Sequence, residues 1–150
     1  MNRAPLNLRP ACRVRFITLQ ALVCLFSLCL VFVTGCASDA EKSAKHFEKG
    51  QQAMESGELK KAEIELKNAI QLQPESSPAY FTLGEVFLQQ GNARQAFQAY
   101  QQAAQLDSGH VEAQLRLAAF YSSAGRIQDA LDAAEAALEA DPDNTEARLA

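Results

Sequence analysis

The feature that most constrains this chain is a 34-residue period in its small residues. Gly57, Gly91 and Gly125 stand 34 apart, as do Ala62, Ala96 and Ala130. The same offset links Ala69, Ala103 and Ala137, then Gly50, Gly84 and Ala118, and further on Pro74, Ser108 and Pro142. A fixed period of this length marks one supersecondary unit copied along the chain, each copy too small to bury its apolar face without a neighbour.

Each unit reads as two helices. In AYFTLGEVFLQQ the residues Tyr80, Leu83, Val86 and Phe87 recur at three-to-four spacing, the pattern of an amphipathic helix. Gly91-Asn92 breaks it, since both residue types tolerate the positive φ at a helix C-terminus. A second helix follows from about Ala93 to Leu106, ended by Asp107-Ser108-Gly109. The flanking units match, with helices expected near Ala44–Glu55 and Leu59–Leu72, and near Val111–Ala124 and Ile127–Ala140. At Gly50, Gly84 and Ala118, and at Ala62, Ala96 and Ala130, the paired helices are expected to cross closely. Phe87, Tyr121, Leu66 and Tyr100 are expected to fill the wider gaps.

The period, the glycine turn, the alanines and two of the three prolines resemble the tetratricopeptide repeat family over about residues 43–150. Ser108 in place of proline, Ala134 in place of an aromatic, and His46 and Gln114 in place of large apolar residues depart from its pattern. The resemblance implies an all-α fold: an α-solenoid of antiparallel helix pairs, the TPR superhelix. The units are residues 43–76, 77–110 and 111–144. Thr145-Glu146-Ala147-Arg148-Leu149-Ala150 reads as the start of a truncated fourth, and the chain is read as part of a longer array.

The first helix of each unit in that family lines a concave groove for a protein or peptide partner. Carried over, the groove residues are Phe47, Gln51 and Met54, then Phe81, Glu85 and Leu88, then Leu115, with Ala44, Pro78, Glu112, Ala119 and Ser122 in the same registers. Phe47, Phe81 and Leu115 form an apolar stripe suited to an apolar or helical segment; the alternative is that it packs on further repeats or a second copy. Some members hold acidic chaperone C-termini with groove lysines and asparagines. Here Phe47, Gln51, Phe81 and Glu85 stand at those positions, so an acidic groove that repels such ligands is expected.

The N-terminus is of another kind. Residues 1–35 carry Arg3, Arg9, Arg13 and Arg15 and no acid, followed by an apolar run from Phe16 to Val33. A basic flank, an apolar core and a small-residue end mark a secretory signal. Val33-Thr34-Gly35-Cys36 resembles the bacterial lipobox, which implies cleavage between Gly35 and Cys36 and diacylglycerol on the Cys36 thiol. Residues 1–35 are thus read as a lipoprotein signal peptide and 36–42 as a lipidated tether. An uncleaved transmembrane helix is the alternative, the run being just long enough to span a bilayer. The absence of aspartate at Ala37 points to the outer membrane, facing the periplasm. Cys12, Cys24 and Cys29 all lie in the signal, so the cysteines report processing and not a disulfide framework.

Residues 36–150 hold 10 basic against 18 acidic residues, a net charge of −8. That balance argues against nucleic acid as a partner, which requires clustered Lys/Arg. No phosphate loop, nucleophile motif or metal spacing is present in this part, so no catalytic residue, cofactor or metal is assigned and the chain is read as not an enzyme. His46 is expected to be half-buried packing and His110 a loop residue. The function expected is a lipid-anchored interaction scaffold of the bacterial envelope, assisting assembly or export of exopolysaccharide, pilus or secretion components. The segment KKAEIELKNAIQLQPESSPAYFTLGEVFLQQGN resembles repeat lipoproteins of exosortase/PEP-CTERM exopolysaccharide systems. Pilotin-type lipoproteins, the N-terminal module of an envelope enzyme, and a self-associating structural protein are the alternatives.

Overall fold

A computed structural model describes residues 39–148 of the chain. The segment expected to be a signal peptide, the expected cleavage site between Gly35 and Cys36, and Cys36 itself lie outside the described residues, as do residues 149–150. Six helices make up the described part: α1 (39–55), α2 (Leu59–Leu72), α3 (Ser77–Gln89), α4 (Ala93–Leu106), α5 (Val111–Ser123) and α6 (Ile127–Ala140). Among α2 to α6 each helix packs on its neighbours in sequence, as a solenoid requires. The fold class is the all-α solenoid expected from the repeat.

The turns inside the units are copies of one another. Gly57, Gly91 and Gly125 have φ of +77°, +78° and +72°. In each, the glycine N–H donates three residues back (to Met54, Leu88 and Ser122) and the next N–H donates five back (to Ala53, Phe87 and Tyr121), at 2.8–3.0 Å. These bonds satisfy carbonyls that a helix end leaves free. Between units, α3 starts two residues earlier than expected, at Ser77, because Pro78 suits a first turn that needs no proline N–H.

The buried alanines sit where the period places them. Ala62, Ala69, Ala96, Ala103 and Ala137 are fully buried and Ala130 nearly so. A third buried series, Ala79, Ala113 and Ala147, runs at the same offset. Buried serines add a polar tie the period could have revealed: the Ser43 hydroxyl donates to the Ala69 carbonyl and Ser77 to Ala103, each at 2.9 Å. Val111 stands at this register in the third unit.

Leu66 and Tyr100 do not fill separate wide gaps; they lie on the glycines of the paired helix. A Cβ on Gly50 would come 2.7 Å from Leu66 Cγ, and one on Gly84 2.5 Å from Tyr100 Cε1. In the third unit the same registers hold Ala118 and Ala134, both buried. The small residue at 134 is therefore matched to the larger one at 118.

Candidate functional site

The candidate groove is the face built by the first helix of each unit. Phe81 on α3 and Leu115 on α5 share a register one repeat apart, and both are half-buried. They come together as walls of a cavity of about 150 Å³, completed by Ala119, Glu112, Arg116 and Glu146. The other proposed groove residues do not line it. Phe47 and Met54 pack against the core, Gln51 is exposed, and Leu88 is 39% exposed.

Phe81 packs against two other rings. Its ring centroid lies 5.7 Å from that of Tyr100 and 4.9 Å from His110. His110 is not a free loop residue: it is the N-cap of α5, where Nδ1 accepts from the Ala113 N–H. Its imidazole thus serves a helix terminus and an aromatic contact together. His46 is partly buried as expected, and its Nδ1 lies 2.6 Å from Glu65 Oε2 on α2. No group of three or more His, Cys, Asp or Glu that could hold a metal ion occurs among the described residues.

Glu85 is not a free acidic wall. Its Oε1 accepts from the Tyr100 hydroxyl at 2.7 Å, and its carboxylate accepts from Arg116 Nε and a terminal guanidinium nitrogen at 2.7 and 3.2 Å. Burial, followed by the hydrogen bond to Glu85, pushes the Tyr100 phenol well above the usual tyrosine range. The forked Arg116 pair neutralises the Glu85 carboxylate, while Glu112 and Glu146 keep the cavity lining acidic. Arg116 escaped the sequence reading because its partner lies 31 residues away on another unit. Next to this pair, Phe81 and Leu115 offer an apolar floor with charge on one side, a surface that can seat an apolar side chain and orient the backbone beside it.

Two tetratricopeptide repeat family models match the chain, over residues 47–111 and 87–150. No curated protein matches it. Among solved structures, the Arabidopsis OM64 TPR domain is 28% identical, with a TM-score of 0.66 over 74% of this chain and 92% of that one. The first TPR of Spaghetti (RPAP3), solved bound to the HSP90 peptide SRMEEVD, is 19% identical, with a TM-score of 0.66 over 73% of this chain and 87% of that one. MamA is 24% identical, with a TM-score of 0.60 over 74% and 65% of the two chains. From residue 47 to residue 150, the chain belongs to the tetratricopeptide repeat family.

Proposed function

We propose that this protein is an interaction scaffold that holds a partner's peptide segment on the face formed by α1, α3 and α5. The observation that carries this reading is the Phe81–Leu115 cavity beside the Arg116–Glu85 pair. An apolar side chain of the partner enters between Phe81 and Leu115, while Glu112, Arg116 and Glu146 supply polar contacts along the rim. The peptide seen in the RPAP3 domain supports peptide holding by this fold. The ligand class differs, because Phe47, Gln51, Phe81 and Glu85 replace the lysines and asparagines that grip acidic termini.

The N-terminal reading completes the proposal. Export and acylation at Cys36 tether the scaffold to the bacterial envelope, at the outer membrane facing the periplasm, where it assists assembly or export of an envelope component such as exopolysaccharide. The basic flank, the apolar run and Val33-Thr34-Gly35-Cys36 support this.

Two experiments separate the parts. Ala119 is an exposed residue of the cavity wall, so Ala119→Arg fills the groove without touching the core. It should abolish partner capture from envelope extract while the melting temperature stays within a few degrees; equal capture by both forms overturns the groove. Cys36→Ala should end fatty-acid labelling and leave an uncleaved precursor, and continued labelling would overturn the anchor.

A further inference from the structure

The two junctions between units differ in sequence, and the difference opens a slot. At the α2–α3 junction Gln90 acts as a plug. Its Nε2 donates to the Leu59 carbonyl at 3.3 Å and to Glu63 Oε2 at 3.1 Å, and the Lys67 ammonium lies 5.6 Å from the Phe87 ring centroid. One repeat later, at the α4–α5 junction, Ala124 stands in the register of Gln90 and Phe97 in that of Glu63. Both halves of the polar plug are gone. What remains is a cavity of about 340 Å³ with almost wholly apolar walls, among them Phe97, Phe120, Tyr121 and Ala124. Phe97 stands edge-on to Tyr121, with centroids 5.4 Å apart, so the aromatic wall is pre-formed.

The charge at its rim is opposite to that of the protein. Residues 36–150 carry a net −8, yet the charged residues lining the slot are Arg94 and Arg126. The Arg126 guanidinium carbon lies 4.6 Å from the Tyr121 ring centroid while Nε donates to Asp129. Arg94 pairs with no carboxylate among the described residues. A volume of this size is in the range of ligand sites, roughly 300–1,000 Å³, and a basic rim on an acidic body selects anionic partners.

We propose that this slot is a second recognition site, which takes an aromatic side chain from an acidic segment of a partner protein. It shares no residue with the Phe81–Leu115 cavity, so each site stands or falls alone. The ring stacks among Phe97, Phe120 and Tyr121, and flanking carboxylates meet Arg94 and Arg126.

The test is amide NMR of the full chain in detergent micelles, titrated with acetyl-Glu-Phe-Glu-amide. Saturable shifts should centre on Tyr121 and Ala124. Ala124→Gln, at an exposed position, restores the glutamine of the preceding junction's plug and should weaken binding at least tenfold, with an unchanged thermal melt. Arg94→Gln should weaken it about threefold, and acetyl-Lys-Phe-Lys-amide should bind at least tenfold more weakly. Unchanged affinity in Ala124→Gln, or shifts elsewhere alone, overturns the site. Equal binding of the lysine peptide overturns the acidic assignment. Slot shifts that grow with protein concentration alone assign the slot to a second copy, which also overturns the proposal.

Discussion

At the scale of single residues, the contact between Gly84 and Tyr100 sets how closely two helices approach. The Tyr100 side chain is fully buried, so it has no room to retreat from a methyl group 2.5 Å away. Gly84→Ala should therefore destabilise the protein by about 1–3 kcal/mol, the usual cost of overpacking. The pairing has a sharper test in a double-mutant cycle. Tyr100→Ala removes the clash along with its own packing, so the double variant should lose at least ~1 kcal/mol less than the sum of the singles. Additive losses, read from denaturant midpoints, would show that the two side chains do not meet. The glycine itself was visible in the sequence as a small residue in register. Its counterpart was not, because Tyr100 reads as any core aromatic until a partner helix is placed across from it. Arg116 was hidden for a related reason: an arginine on a helix surface carries no sign that a half-buried carboxylate one unit away will claim it.

At the scale of elements, the turns and most helix ends were legible almost residue by residue, since periodicity and glycine each report a local cause. The exception is α1, which begins at residue 39, five before the expected Ala44 and inside the stretch read as a tether. The three in-unit turns have the same φ and the same two backbone bonds. A Cβ at Gly57, Gly91 or Gly125 meets nothing within 4 Å, so substitution there costs backbone strain alone. Alanine at each should lower stability by about 1–2 kcal/mol, and the three losses should agree within ~0.5 kcal/mol. A much larger spread in calorimetric midpoints would mean that the turns are not equivalent. The slot and the Gln90 plug were less legible. Gln90 and Ala124 differ in an unremarkable way in sequence, and only the approach of α4 to α5 shows that one position stops a gap and its copy leaves it open.

At the scale of the whole described unit, stability comes from neighbours, and α6 shows it. Ile127 and Leu131 are 60% and 48% exposed, yet they stand in the registers of Ala93 and Phe97, where α4 meets α5. Replacing both with glutamine should change stability by no more than about 0.5 kcal/mol per site, as for other surface positions. A fall in melting temperature beyond ~8 °C would mean that another surface covers them in solution. The opposed pairs Gly50/Leu66, Gly84/Tyr100 and Ala118/Ala134 reach further, into how such a chain can change over generations. Each first helix is keyed to its own second helix. A duplication or crossover that copies a whole unit keeps its key and lock together. One that breaks within a unit would set Ala118 against Tyr100 or Gly84 against Ala134, a clash in one case and a hole in the other. Whole repeats can therefore be inherited as exchangeable cassettes, whereas half repeats cannot be exchanged between the third unit and the other two.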